Sequence, residues 1–137
     1  MSTTAPPRTD GYTLEVTFTP QPSHVGSMRR IAAAFLGQRS VPASVAEEVV
    51  LCVSELVTNA IEHGRGLVSM RLRDRGWELH VEIGDDSSAP ARLCRPMDDC
   101  EGGRGLLIVA ALAQSWGVSD DGRATWATFR TRLGRSS

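Results

Sequence analysis

The stretch richest in chemical side chains is Glu55-Leu-Val-Thr-Asn59-Ala-Ile-Glu62-His63-Gly64. Glu55 and Asn59 are four apart, so on a helix they project from one face. A carboxylate beside an amide oxygen suits a hard, hydrated cation such as magnesium on phosphates. The carboxylate can also take a proton from a water or an incoming hydroxyl. Glu48 and Glu62 share that side, and for them a solvated helix face is explanation enough. A second candidate is Val81-Glu-Ile-Gly84-Asp85-Asp86-Ser87-Ser88. An acid at the end of a buried strand is costly unless something bonds it. Asp85 could accept from an exocyclic amine such as that of adenine, or act as a turn acid for local N–H groups. A third is Glu101-Gly-Gly103-Arg104-Gly105-Leu106. Its glycines let backbone come close to a ligand, and the helix that follows offers N–H groups to phosphate. It lacks the lysine and spacing of a Walker loop, and it follows an irregular segment where a Rossmann loop follows a strand.

The elements that must carry these residues can be read from periodicity. Leu14, Val16 and Phe18 alternate with polar residues, so 12–18 is a strand, ended by Pro20 and Pro22. Residues 23–37 form a helix with Met28, Ile31, Ala32 and Phe35 on one face. Ser44-Val45-Ala46-Glu47 is a capping box that opens a second helix running to His63. Gly64 is positioned to take a left-handed conformation just past its end. On that helix Val49, Val53, Leu56, Val57 and Ala60 share the face that packs on a sheet. Strands follow at 67–73 and 77–83, around an Asp74-Arg75-Gly76 turn. Residues 85–103 lack any period and read as a long functional loop. A third helix at 104–114 is almost wholly apolar and expected to be buried. Strands at 116–119 and 125–133 close the chain around Asp121-Gly122.

The 137 residues suit one domain with its own core. We expect a flexible tail at 1–10 and the domain at 11–134. A net charge of −1 argues against a global grip on nucleic acid or an anionic membrane. All 15 basic residues are arginine, so a phosphate must be met by arginine, a metal or a backbone dipole. No apolar leader or bilayer-length run is present, and the expected location is the cytoplasm. Cys52, Cys94 and Cys100 then read as reduced thiols. Any redox role for Cys94 and Cys100, which sit in the long loop, is secondary. His24, His63 and His80 share no metal-ligand spacing, and His63 suits the negative end of the helix dipole. Trp77, Trp116 and Trp126 fall on strands as packing residues.

Taken in order, Glu55-x-x-x-Asn59-Ala60, Asp85 and Gly103-x-Gly105 resemble the N, G1 and G2 boxes of the GHKL ATPase superfamily. The phrases SELVTNAIEHG, EGGRGLLIV and WGV…GRATWATF are similar to actinobacterial anti-sigma serine/threonine kinases of the RsbW and SpoIIAB type. The likeness covers about residues 12–133. It implies the Bergerat fold, an α+β two-layer sandwich with a helix layer on one face of a mixed sheet. It implies ATP and Mg2+, with Asn59 on magnesium, Glu55 as general base and Asp85 on the adenine amine. Gly103, Arg104 and Gly105 would close on the phosphates. Ser87 stands where the family's G1 box often has glycine, and Asp86 leaves the register open by one residue. The implied activity is phosphoryl transfer to a STAS-type anti-sigma antagonist that competes with a sigma factor. A homodimer through the first strand and helix belongs to the same implication. A non-catalytic, nucleotide-gated module that sequesters a partner is the alternative.

Overall fold

The computed structural model describes residues 12–86 and 103–131, the first three of the latter by backbone alone. The elements are β1 (Tyr12–Phe18), α1 (Ser23–Gln38), α2 (Ala43–His63), β2 (Val68–Asp74), β3 (Glu78–Gly84), α3 (Gly103–Leu112), β4 (Ser115–Val118) and β5 (Ala124–Arg130). The five strands form one sheet in the order β1-β2-β3-β5-β4. This is an α+β two-layer fold.

All four strand pairings among the described residues are antiparallel, which corrects the expected mixed sheet. The topology gives the reason. The chain leaves β3, passes through α3 and returns at the far edge as β4. It then turns inward as β5 to pair with β3. β4 runs in the direction of β3, but β5 lies between them, so no parallel neighbours arise.

The core lies between sheet and helices. Met28, Ala32 and Leu36 of α1 are buried at helical spacing. From α2 come Val45, Val49, Cys52, Val53, Leu56, Val57 and Ala60. They meet alternate residues of the sheet, among them Met70 and Leu72 of β2, Val81 and Ile83 of β3, and Ala127 and Phe129 of β5. Among the described residues α2 packs against α1, α3, β2, β3 and β5.

Several local expectations need correction. α2 starts one residue before the capping box. Pro42 is the N-cap at φ −55° and ψ 143°, and no side chain caps the helix. With ψ at 143° Pro42 itself has the non-helical backbone of an N-cap, so Ser44 falls inside the first turn. Gly64 is extended, at φ −89° and ψ −168°, and not left-handed. α3 buries Leu106 and Val109 but leaves Leu107 exposed, because among the described residues it packs on one side. Trp77 lies in the turn before β3 and is half-exposed. Residues 132 and 133, expected to end the last strand, lie outside the described residues.

One polar cluster ties the end of the sheet where β2 finishes. Asp74 is fully buried. Its Oδ2 accepts from Arg39 Nε at 3.0 Å and its Oδ1 from the Gly76 N–H at 2.8 Å. The Arg39 guanidinium stands 3.7 Å from the centroid of the Tyr12 ring. Thus the end of α1, the start of β1 and the β2–β3 turn share one anchor. Arg39→Ala removes the cation facing a buried carboxylate and should destabilise the fold by about 3 kcal/mol in urea unfolding. A loss below about 0.5 kcal/mol, ordinary for a surface change, would contradict that role. Burial, helped by Glu48 and Glu55, pushes the Cys52 thiol up to about 12. Cys52 should therefore resist iodoacetamide at pH 8 in the native protein and react once unfolded, as peptide mapping would read. Rapid native labelling would refute it.

Candidate functional site

The burial of α2 sets what its other side can do. With Val49, Val53, Leu56, Val57 and Ala60 packed inward, Glu55 and Asn59 come to rest half-buried, while Glu48 and Glu62 are exposed. Cys52, at full burial, stands between Glu48 and Glu55 in the same strip. Desolvation is the first cause of its raised pKa, and the negative charges of Glu48 and Glu55 are the next. The field of both carboxylates therefore reaches into the strip, a link not drawn from the sequence. His63 sits in the last turn, with Nε2 3.7 Å from Glu62 Oε1, consistent with a role at the helix end.

α2 ends where β3 ends. The Asp85 N–H donates to the Arg123 carbonyl at 3.0 Å, which fixes the main chain just past β3 against the start of β5. The Asp85 carboxylate faces the end of α2. A Cβ on Gly64 would overlap Asp85 Oδ2 and lie 2.5 Å from the Ala60 carbonyl oxygen. Asp86 does different work. Its N–H donates to the Arg65 carbonyl at 2.8 Å, and its Oδ2 accepts from the Leu67 N–H at 3.0 Å. It is the turn acid that ties the α2–β2 loop. The two acids that the sequence left one residue apart in register are thus separated by geometry.

Thr125 was missed by sequence reasoning. It is a polar residue at 8% exposure on β5, in register with Ile83 and on the face of Ala127 and Phe129. A threonine in a strand is too common to stand out; its pairing two residues before Asp85 is what gives it interest. Trp126 lies on the opposite face, stacked on His80 at 5.9 Å between centroids, with Gly117 beneath the indole. That agrees with packing. Gly103, Arg104 and Gly105 belong to the first turn of α3 by backbone. Ser87, Cys94 and Cys100 lie outside the described residues. A cleft of about 700 Å³ opens between α1 and α2, lined by Ala33, Gly37, Val41, Val50, Leu51 and others. It includes none of the residues singled out for chemistry.

The donor set fits a magnesium nucleotide. One end of the sheet sets Asp85 against the end of α2 and holds the buried hydroxyl of Thr125, while the carboxylate of Glu55 and the amide of Asn59 lie half-buried along α2. Among the described residues no group of three or more His, Cys, Asp or Glu is gathered as a metal cage. Magnesium does not need one, since it keeps waters and takes one or two protein oxygens with substrate phosphates. Among the described residues no helix is long and apolar enough to cross a membrane.

No curated protein matches this sequence. Among solved structures, the chain is similar to "The crystal structure of the RsbU and RsbW domains of Rv1364c from Mycobacterium tuberculosis". The TM-score is 0.62 at 19% identity, over 88% of this chain. This chain spans 32% of that one, and at that identity the likeness speaks for the fold alone. The model of the histidine kinase-like ATPase domain matches residues 18–130. That match takes in α2, Asp85 and the whole sheet beyond β1, and the chain belongs to the histidine kinase-like ATPase domain family.

Proposed function

We propose that this chain binds Mg-ATP and acts as an anti-sigma factor and protein serine/threonine kinase, its acceptor a STAS-type antagonist. The observation that carries this is that α2, along which Glu55 and Asn59 lie half-buried, ends against Asp85, in a chain of the histidine kinase-like ATPase domain family. The resemblance to the RsbW type supplies the partners, a sigma factor and its antagonist, and the RsbW domains in the similar solved structure support the same reading.

In this reading Asp85 accepts a hydrogen bond from the adenine amine. Asn59 turns its side-chain oxygen toward magnesium, which when bound offsets the charge of the phosphates. Ser87 flanks the base. Gly103 and Gly105 let the α3 backbone approach the phosphates, and Arg104 supplies the cation that lysine provides elsewhere. Glu55 takes the proton from the acceptor hydroxyl as its oxygen bonds to the γ-phosphorus. The bond from that phosphorus to the bridging oxygen breaks, and ADP leaves with its electron pair. Such transfer depends chiefly on positioning and charge, so ATP binding without transfer would favour the nucleotide-gated, partner-sequestering module.

Asn59→Ala should weaken ATP binding in magnesium by more than about tenfold, with little change when magnesium is chelated. Calorimetry on both forms checks this, and equal affinity in magnesium would refute the assignment. Glu55→Ala should slow phosphoryl transfer to the antagonist by about 10²–10⁴-fold while sparing ATP affinity. Radiolabel transfer at wild-type rate would remove Glu55 as the base.

A further inference from the structure

We propose that Gly64 is a positioning residue that lets Asp85 select the purine base, so that preference for adenine is set from the end of α2. This rests on the nucleotide reading above and adds a determinant outside the three motifs.

The backbone of Gly64 is extended, at φ −89° and ψ −168°, a conformation any residue can adopt. Its glycine is therefore not required by dihedral freedom. It is required by space. A Cβ there would overlap Asp85 Oδ2, lie 2.6 Å from Asp85 Cγ and 2.5 Å from the Ala60 carbonyl oxygen. Real Cβ atoms essentially never approach heavy atoms closer than 3.0 Å.

Both walls of this contact are held by main chain. The Gly64 N–H donates to the Ala60 carbonyl at 2.9 Å, and the Asp85 N–H donates to Arg123 at 3.0 Å. Asp86, bonded to the Leu67 N–H and packed on Gly66, steadies the 64–67 loop from the other side. A methyl group would press on the Ala60 carbonyl, which only a shift of the main chain at 64 relieves, and on the Asp85 carboxylate, which gives way by rotation. The Asp85 side chain would turn about χ1 and carry its acceptor oxygens away from the base. Loss of a hydrogen bond to a charged acceptor is felt for a ligand with an amine at that position, and not for one that carries a carbonyl there.

The test compares ATP with inosine triphosphate, which has a carbonyl in place of the exocyclic amine. Calorimetry is run on the full chain in magnesium, with circular dichroism and thermal melting as fold controls. Wild type should prefer ATP by about tenfold or more. Gly64→Ala should lose that preference, with ATP affinity falling to the inosine level and inosine triphosphate affinity unchanged. A folded variant that keeps the preference, or that loses both nucleotides equally, overturns the proposal. If Gly64→Ala does not fold, Asp85→Glu probes the same contact from the other side. Its longer carboxylate no longer fits against Gly64, and the preference should fall likewise; a preserved preference overturns the proposal. Wild type that binds neither nucleotide overturns the nucleotide reading and this inference together, whereas a preference that survives in the variant overturns this inference alone.

Discussion

The rotation of α2 about its own axis is the constraint on which the candidate site depends. Val49, Cys52, Val53, Leu56, Val57 and Ala60 are buried, and successive helical residues are spaced about 100° apart. Turning the helix by one residue would expose Val53 and drive Glu55 into the apolar layer. A carboxylate there without partners would cost several kcal/mol by desolvation. The packing that makes α2 the hub of the core therefore also aims Glu55 and Asn59. Site geometry and core stability are two consequences of one hydrophobic pattern.

That pattern is why so much was legible before any coordinates. Apolar residues at helical spacing in 49–60 indicated both the buried face and its opposite. Strict alternation in β1 gave the strand with its bounds. What escaped was whatever depends on neighbours distant in sequence. Ser44 and Glu47 look like a cap in one dimension, but Pro42 already holds the chain extended, and the helix begins at Ala43. The mixed sheet failed because adjacency of β5 to β3 is decided by where the crossover lands, which no local window records. α3 looked buried because it is apolar nearly throughout, yet among the described residues Leu107 is exposed while Leu106 and Val109 are buried.

Gly64 is the most instructive of these cases. The sequence rule, glycine just past a helix, is right about position and wrong about cause. The rule assumes a left-handed residue that closes the last turn. Here the residue is extended, and what forbids a side chain is the Ala60 carbonyl together with the carboxylate of Asp85, 21 positions later. The same glycine would satisfy either account, so the sequence alone could not separate them.

Asp85 and Asp86 complete the argument. Adjacent acids repel and ordinarily share one solvated environment. In this chain they face different ways, because the strand ends between Gly84 and Asp85 and successive side chains alternate about it. Asp86 spends its carboxylate on the Leu67 N–H and thereby sets the course of the 64–67 loop. That course brings Gly64 against Asp85. One acid builds the seat and the other occupies it. Both residues are aspartate, so only their spacing from Gly84 tells them apart, and that spacing, not the presence of an acid pair, carries the chemical information.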